Sequence, residues 1–132
     1  MKSKFFCFLL VAMINISLVY AEGENNITNV LEDIPYTDNM MGKRKLVNEK
    51  YLFLMQAALK PGQNVPQHMA NSNVNILVVE GSVVINLNEK DIAAKKGDLV
   101  PVAFKTPMSI KNKSEQNASF LIIKTPNPSE MK

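Results

Sequence analysis

Short apolar runs separated by turn residues constrain this chain more than any other feature of its sequence. Asn75–Glu80 is an apolar, β-branched run stopped at Gly81-Ser82 and answered by Val83–Leu87. Asn88-Glu89-Lys90 turns into Asp91–Ala94, and Lys95-Lys96-Gly97-Asp98 turns into Leu99–Phe104. Thr106-Pro107 precedes Met108–Asn112, and Ser114-Glu115-Gln116 precedes Ala118–Lys124, after which Thr125-Pro126-Asn127-Pro128 ends the pattern. Strands recurring every 8–12 residues with turn signals between them predict a sandwich or barrel. Upstream, Tyr51–Leu59 starts on an aromatic residue and stops at Pro61-Gly62, which favours a strand over a helix. No amphipathic helical pattern follows residue 50. The expected fold class is all-β. Two residues separate the runs on either side of Gly81-Ser82, so a tight hairpin is expected there, with Gly81 taking the positive φ.

The N-terminus predicts export. Lys2 and Lys4 form a basic start, Phe5–Leu18 is apolar apart from Asn15 and Ser17, and Val19-Tyr20-Ala21 suits a signal peptidase. The apolar stretch is short for a membrane span, which needs about 20 apolar residues. Cleavage after Ala21 removes both lysines, so the formal charge falls from +3 to +1. The basic balance therefore belongs mostly to the leader, and it carries no argument for a nucleic-acid partner. Lys43-Arg44-Lys45 reads as a solvated turn or strand start. Cys7 leaves with the leader, so residues 22–132 contain neither a disulfide nor a thiolate ligand. They are enough for one domain with its own core. The expected division is a signal peptide over 1–21, a flexible lead-in with the first short elements over 22–44, a barrel over 45–128 and a tail over 129–132. A periplasmic or secreted location follows, with no membrane association after cleavage.

Leu59-Lys60-Pro61-Gly62-Gln63-Asn64-Val65-Pro66-Gln67-His68 resembles the start of the first cupin motif, in which a glycine precedes a His-x-His, a carboxylate and a later glycine. Gly62, His68 and Gly81 match in register. Gly97-Asp98-Leu99-Val100 resembles the opening of the second motif, and Asn112 falls where that motif ends. Phe120–Pro128 is similar to the last strand of small single-domain cupins. The resemblance covers residues 45–128 and implies a jelly-roll β-barrel. It also implies a metal held by two histidines, a glutamate and a later histidine. Of those positions only His68 keeps its ligand; the others are Ala70, Val74 and Met108, and the second motif's proline and glycine are Ala103 and Lys105. A catalytic divalent metal needs about three protein ligands. No metal or other cofactor is expected, and His68 is the one residue suited to hold a metal.

His68 is the only histidine, and three readings of it stand: a hydrogen bond to a backbone carbonyl at the barrel mouth, the polar anchor of a ligand, or a metal ligand. Met108 is a core methionine rather than part of a copper site, because the methionines form no Met-x-Met series. Nucleophilic catalysis lacks its parts, with no cysteine after residue 7, no Gly-x-Ser-x-Gly elbow and one imidazole. Glu80 and Asp98 are expected at hairpin ends. Glu24-Asn25-Asn26-Ile27-Thr28 and Glu115-Gln116-Asn117-Ala118-Ser119 resemble the acceptor sequence of bacterial periplasmic N-glycosylation, which makes Asn26 and Asn117 candidate glycan sites.

These readings predict a non-catalytic exported barrel that binds a small, mostly apolar ligand, with His68, Asn73, Lys105 and Met108 near its mouth. Two rivals remain: a metal-dependent isomerase or lyase acting on a sugar-like substrate, and a structural barrel with a filled core. A homodimer is expected, because small single-domain cupins usually pair and Tyr51–Leu59 would otherwise leave apolar surface exposed.

Overall fold

A computed structural model describes residues 26–132, and the expected leader at 1–21 lies outside the described residues. Nine strands follow one another: β1 (Gly42–Glu49), β2 (Leu52–Leu59), β3 (Asn64–Met69), β4 (Asn73–Glu80), β5 (Ser82–Leu87), β6 (Lys90–Lys95), β7 (Leu99–Val102), β8 (Pro107–Lys111) and β9 (Ala118–Thr125). A short 3₁₀ turn, Pro128–Glu130, closes the chain. One antiparallel sheet has the order β1-β2-β9-β4-β7 and the other β3-β8-β5-β6.

The two sheets face each other across one core. Ala57, Leu59, Val74, Ile76, Val78, Phe120 and Ile122 come from the larger sheet, and Val65, Val83, Ile85, Ala94, Met108 and Ile110 from the smaller. Leu59, Ile76, Ile85, Ile110 and Phe120 are fully buried. Each contributes about 1.5–3 kcal/mol by leaving water, which is how a chain of this length holds without disulfides.

The Gly81 turn is not the hairpin expected from its spacing. β4 and β5 do not pair: β4 lies between β9 and β7, whereas β5 lies between β8 and β6. Gly81 is a corner where the chain leaves one sheet for the other. It has the expected positive φ, +66°, and a Cβ there would overlap the carbonyl oxygen of Asn117. Both the angle and the close approach exclude other residues. The tight hairpin is instead β5–β6, where Asn88 and Glu89 both take positive φ, the requirement of a type I′ turn.

The region before the barrel also differs from expectation. β1 begins at Gly42 rather than near residue 45, so Lys43-Arg44-Lys45 is strand. Residues 29–41 form a strap fixed to the barrel. Arg44 donates to the carbonyls of Asn29 (3.2 Å), Glu32 (3.1 Å) and Asp33 (3.1 Å), and its Nε donates to Gln56 Oε1 at 2.9 Å. Gln56, fully buried, donates in turn to Val30 O at 2.7 Å and to Ser119 Oγ at 2.9 Å. Gln63 Nε2 donates to Thr37 O at 2.8 Å, and Lys60 pairs with Asp38. The segment expected to hold only the first short elements before the barrel is thus fixed by side chains more than ten residues away in sequence.

Candidate functional site

The barrel encloses a cavity of about 60 Å³ lined by Met41, Val65, His68, Ala70, Asn71, Val74, Met108, Ile110, Ile122 and Lys124. The four positions that the resemblance sets against the cupin ligands, His68, Ala70, Val74 and Met108, all lie on its wall. They come from β3, the turn after it, β4 and β8.

A bulge aims His68 at this wall. Val65 pairs with Ile110 and His68 with Met108, so Pro66 and Gln67 together oppose the single residue Ser109. Without that extra residue, alternation would turn His68 away from the face that Val65 occupies. β3 is a sheet edge, where Pro66 loses no ladder bond for want of an N–H. His68 remains exposed at the mouth, with Nδ1 2.9 Å from Pro66 O. A carbonyl only accepts, so Nδ1 carries the hydrogen, and in the neutral ring Nε2 is left as an acceptor.

The turn between β7 and β8 fixes the other side of the mouth. Ala70 N donates to Thr106 O at 2.9 Å, and Lys105 N donates to Ala70 O at 2.8 Å. Lys105 takes φ +66° although it is not glycine, at the position where the cupin motif has one. Its side chain is exposed, with Nζ 5.2 Å from the Phe104 ring centroid. Asn73 Oδ1 accepts from Phe104 N at 3.2 Å. Asn73 and Lys105, both expected near a ligand, therefore do not line the cavity. They anchor the turn that frames it, Asn73 through its side-chain carbonyl and Lys105 through its backbone N–H.

Two polar residues at the cavity escaped the sequence reading. Lys124, on β9, is half-buried, and its Nζ donates to Asn71 Oδ1 at 2.9 Å and sits 5.6 Å from the Phe53 ring centroid. Burial holds its ammonium below the ordinary lysine range. The signal was its phase in β9, where Phe120, Ile122 and Lys124 share a face. Met41, from the strap, completes the lining and also borders an open groove of about 480 Å³ formed with Met40, Lys43, Gly62, Gln63, Asn64 and Pro66.

The donor set does not fit a divalent metal. Ala70 and Val74 have no donor atom, Met108 offers a thioether, and Lys124 places a cation on the same wall. Among the described residues no group of three or more His, Cys, Asp or Glu side chains converges. Glu80 is exposed and Asp98 Oδ2 accepts from Lys95 N at 2.9 Å, so Asp98 serves a turn. Asn26 and Asn117 are exposed, the first ahead of the strap and the second in the β8–β9 loop. Among the described residues no helix is long and apolar enough to cross a membrane.

Two facing antiparallel sheets with the motif positions gathered at one end define a small cupin-fold domain, a double-stranded β-helix. The chain is similar to the uncharacterised protein MJ0764 of Methanocaldococcus jannaschii, at 28% identity over 88 residues, or 66% of this chain and 76% of that one. The crystal structure of an RmlC-like cupin, mj0764, from the same archaeon matches with a TM-score of 0.65 at 24% identity, covering 77% of this chain and 97% of the other. An RmlC-like cupin from Desulfovibrio desulfuricans matches with a TM-score of 0.69 at 21% identity, covering 76% and 95%. A predicted oxalate decarboxylase from Thermotoga maritima matches at 0.63 and 22%, covering 75% and 98%. No protein-family model matches the chain. The fold is thus shared between a predicted enzyme and a protein without an assigned activity.

Proposed function

We propose that this chain is an exported, non-catalytic cupin-fold protein that binds a small, mostly apolar ligand inside its barrel. The observation that carries this reading is the cavity wall. Met41, Val65, Ala70, Val74, Met108, Ile110 and Ile122 give an apolar lining, and His68, Asn71 and Lys124 are its polar members. An apolar site with a few convergent polar groups is the usual chemistry of small-molecule recognition. The donor set argues against the metal-dependent isomerase or lyase. The cavity volume favours one rival, a structural barrel with a nearly filled core, because about 60 Å³ is small beside common ligand sites. The ligand, or the part of it that enters, has only a few non-hydrogen atoms.

Mass spectrometry of protein purified from its native source, compared with Ala70→Leu, tests the proposal. The wild type is expected to release a small molecule on denaturation, and the variant, its cavity filled, to release none while remaining folded. Empty wild-type protein, together with an Ala70→Leu variant of raised thermal stability, would establish the filled-core reading instead.

Export and modification belong to the same proposal. The secreted fraction is expected to contain a chain beginning at Glu22, measured by intact mass. In a host with the glycosylation machinery, Asn26 and Asn117 are expected to carry glycan, since both side chains are exposed.

A further inference from the structure

Lys124 is out of place in a site for a neutral ligand. Its strand mates on the inner face are Phe120 and Ile122, both buried, and it lines the same cavity as Val74, Met108 and Ile110. Among the described residues it makes no ion pair; the lysines paired with carboxylates are Lys60 and Lys113. No Asp or Glu lines the cavity. Asn71 Oδ1 occupies one of the three ammonium hydrogens, and the face of Phe53 gives partial compensation for the charge. A half-buried cation without a carboxylate beside it is unfavourable, and burial already lowers its affinity for the proton. A ligand that brings the missing negative charge removes this penalty, and one without it does not.

We infer that the barrel selects a small monocarboxylate with a short aliphatic body, its carboxylate on Lys124 Nζ beside Asn71 and its carbon chain against Val74, Met108, Ile110 and Ile122. The inference rests on the ligand-binding reading above and names the ligand's class. Size agrees, since a cavity of about 60 Å³ takes a body of a few carbons and excludes a sugar ring. His68, with Nε2 an acceptor in the neutral ring, does not compete with Lys124 for the carboxylate and suits a hydrogen-bond donor elsewhere on the ligand.

The test is an NMR titration of the methyl groups of Val74, Met108, Ile110 and Ile122 in the mature chain, using isobutyrate and its neutral isostere isobutyramide. Isobutyrate is expected to shift these methyls saturably and to bind at least about tenfold more tightly than the amide, the ratio that a charge-assisted hydrogen bond supplies. Lys124→Met is expected to fold and to bring the two affinities together, and Lys124→Gln to do the same if the methionine variant is unstable. Equal affinities in the wild type, or a preference that survives both substitutions, overturn the inference while leaving an apolar-ligand barrel standing. Cavity methyls that respond to neither probe overturn the inference and the ligand-binding reading together.

Discussion

Lys105 holds a backbone angle that ordinary residues reach only at a cost of about 1–2 kcal/mol. Its N–H bond to Ala70 O survives any substitution other than proline, and its exposed side chain sits over the Phe104 ring. Lys105→Gly is therefore expected to stabilise the protein by about 0.5–1 kcal/mol, the left-handed penalty less the extra chain entropy of glycine. Chemical denaturation measures it, and a loss of stability would mean that the side chain contributes more than its contacts indicate. Tyr36 carries a different kind of strain. Its hydroxyl is buried without a partner, and burial, with the charge of Glu80 second, raises the phenol to about 12. A folded-state value above the unfolded one of about 10 means that this contribution to stability is intact below pH 10 and is lost as pH rises from about 10 to 12. Tyr36→Phe is expected to flatten that alkaline decline and to cost little near neutrality, because an unsatisfied donor is removed. Parallel pH-dependent melting curves for the two proteins would contradict this.

The strap and β1 act as one unit. Arg44 supplies three bonds to strap carbonyls and one to Gln56, and Gln56 is fully buried and shared with Val30 and Ser119. Arg44→Ala is expected to cost about 2–3 kcal/mol, since bonds from a charged donor are worth more than neutral ones and Gln56 loses a partner. Hydrogen exchange should show residues 29–36 losing protection while β4 and β9 keep theirs. Uniform loss across the barrel would instead tie the strap to global unfolding. β3 shows what was hidden at this scale. Asn64–Met69 buries only Val65 and contains a proline, so its alternation is weak in sequence. Its pairing with β8 and the bulge at Pro66-Gln67 give it both its place and His68 its direction.

On the outer face of the larger sheet, register lines up Leu54, Ile123, Asn75 and Pro101 across four strands, with Gln56, Leu121, Leu77 and Leu99 in the next row. The strap covers the Gln56 end through Val30, while Leu99 is 57% exposed and Leu54, Leu77, Leu121 and Ile123 are half-buried. A contiguous apolar face of this kind suits a second copy related by two-fold symmetry. The mature protein is expected to sediment as a dimer at micromolar concentrations, and Leu121→Asp to give a folded monomer. A wild-type mass near that of one chain would refute it.

The sequence determined the class of fold. Short apolar runs and turn residues are local properties, and they marked seven of the strands, whereas the convergence of His68, Ala70, Val74 and Met108 was implied only by the resemblance to the cupin motifs. Only the tertiary structure decided which strands pair, and so it turned the Gly81 hairpin into a corner. It also fastened residues 29–41 to the barrel as a strap, drew Lys124 and Asn71 to the cavity and left Asn73 and Lys105 on its frame. The physical reason is common to all of these. A strand's phase says which residues share a face, but it does not name distant partners such as Val30 for Gln56, 26 residues away, or Asn48 for Asn127, 79 residues away, and no local pattern encodes such contacts.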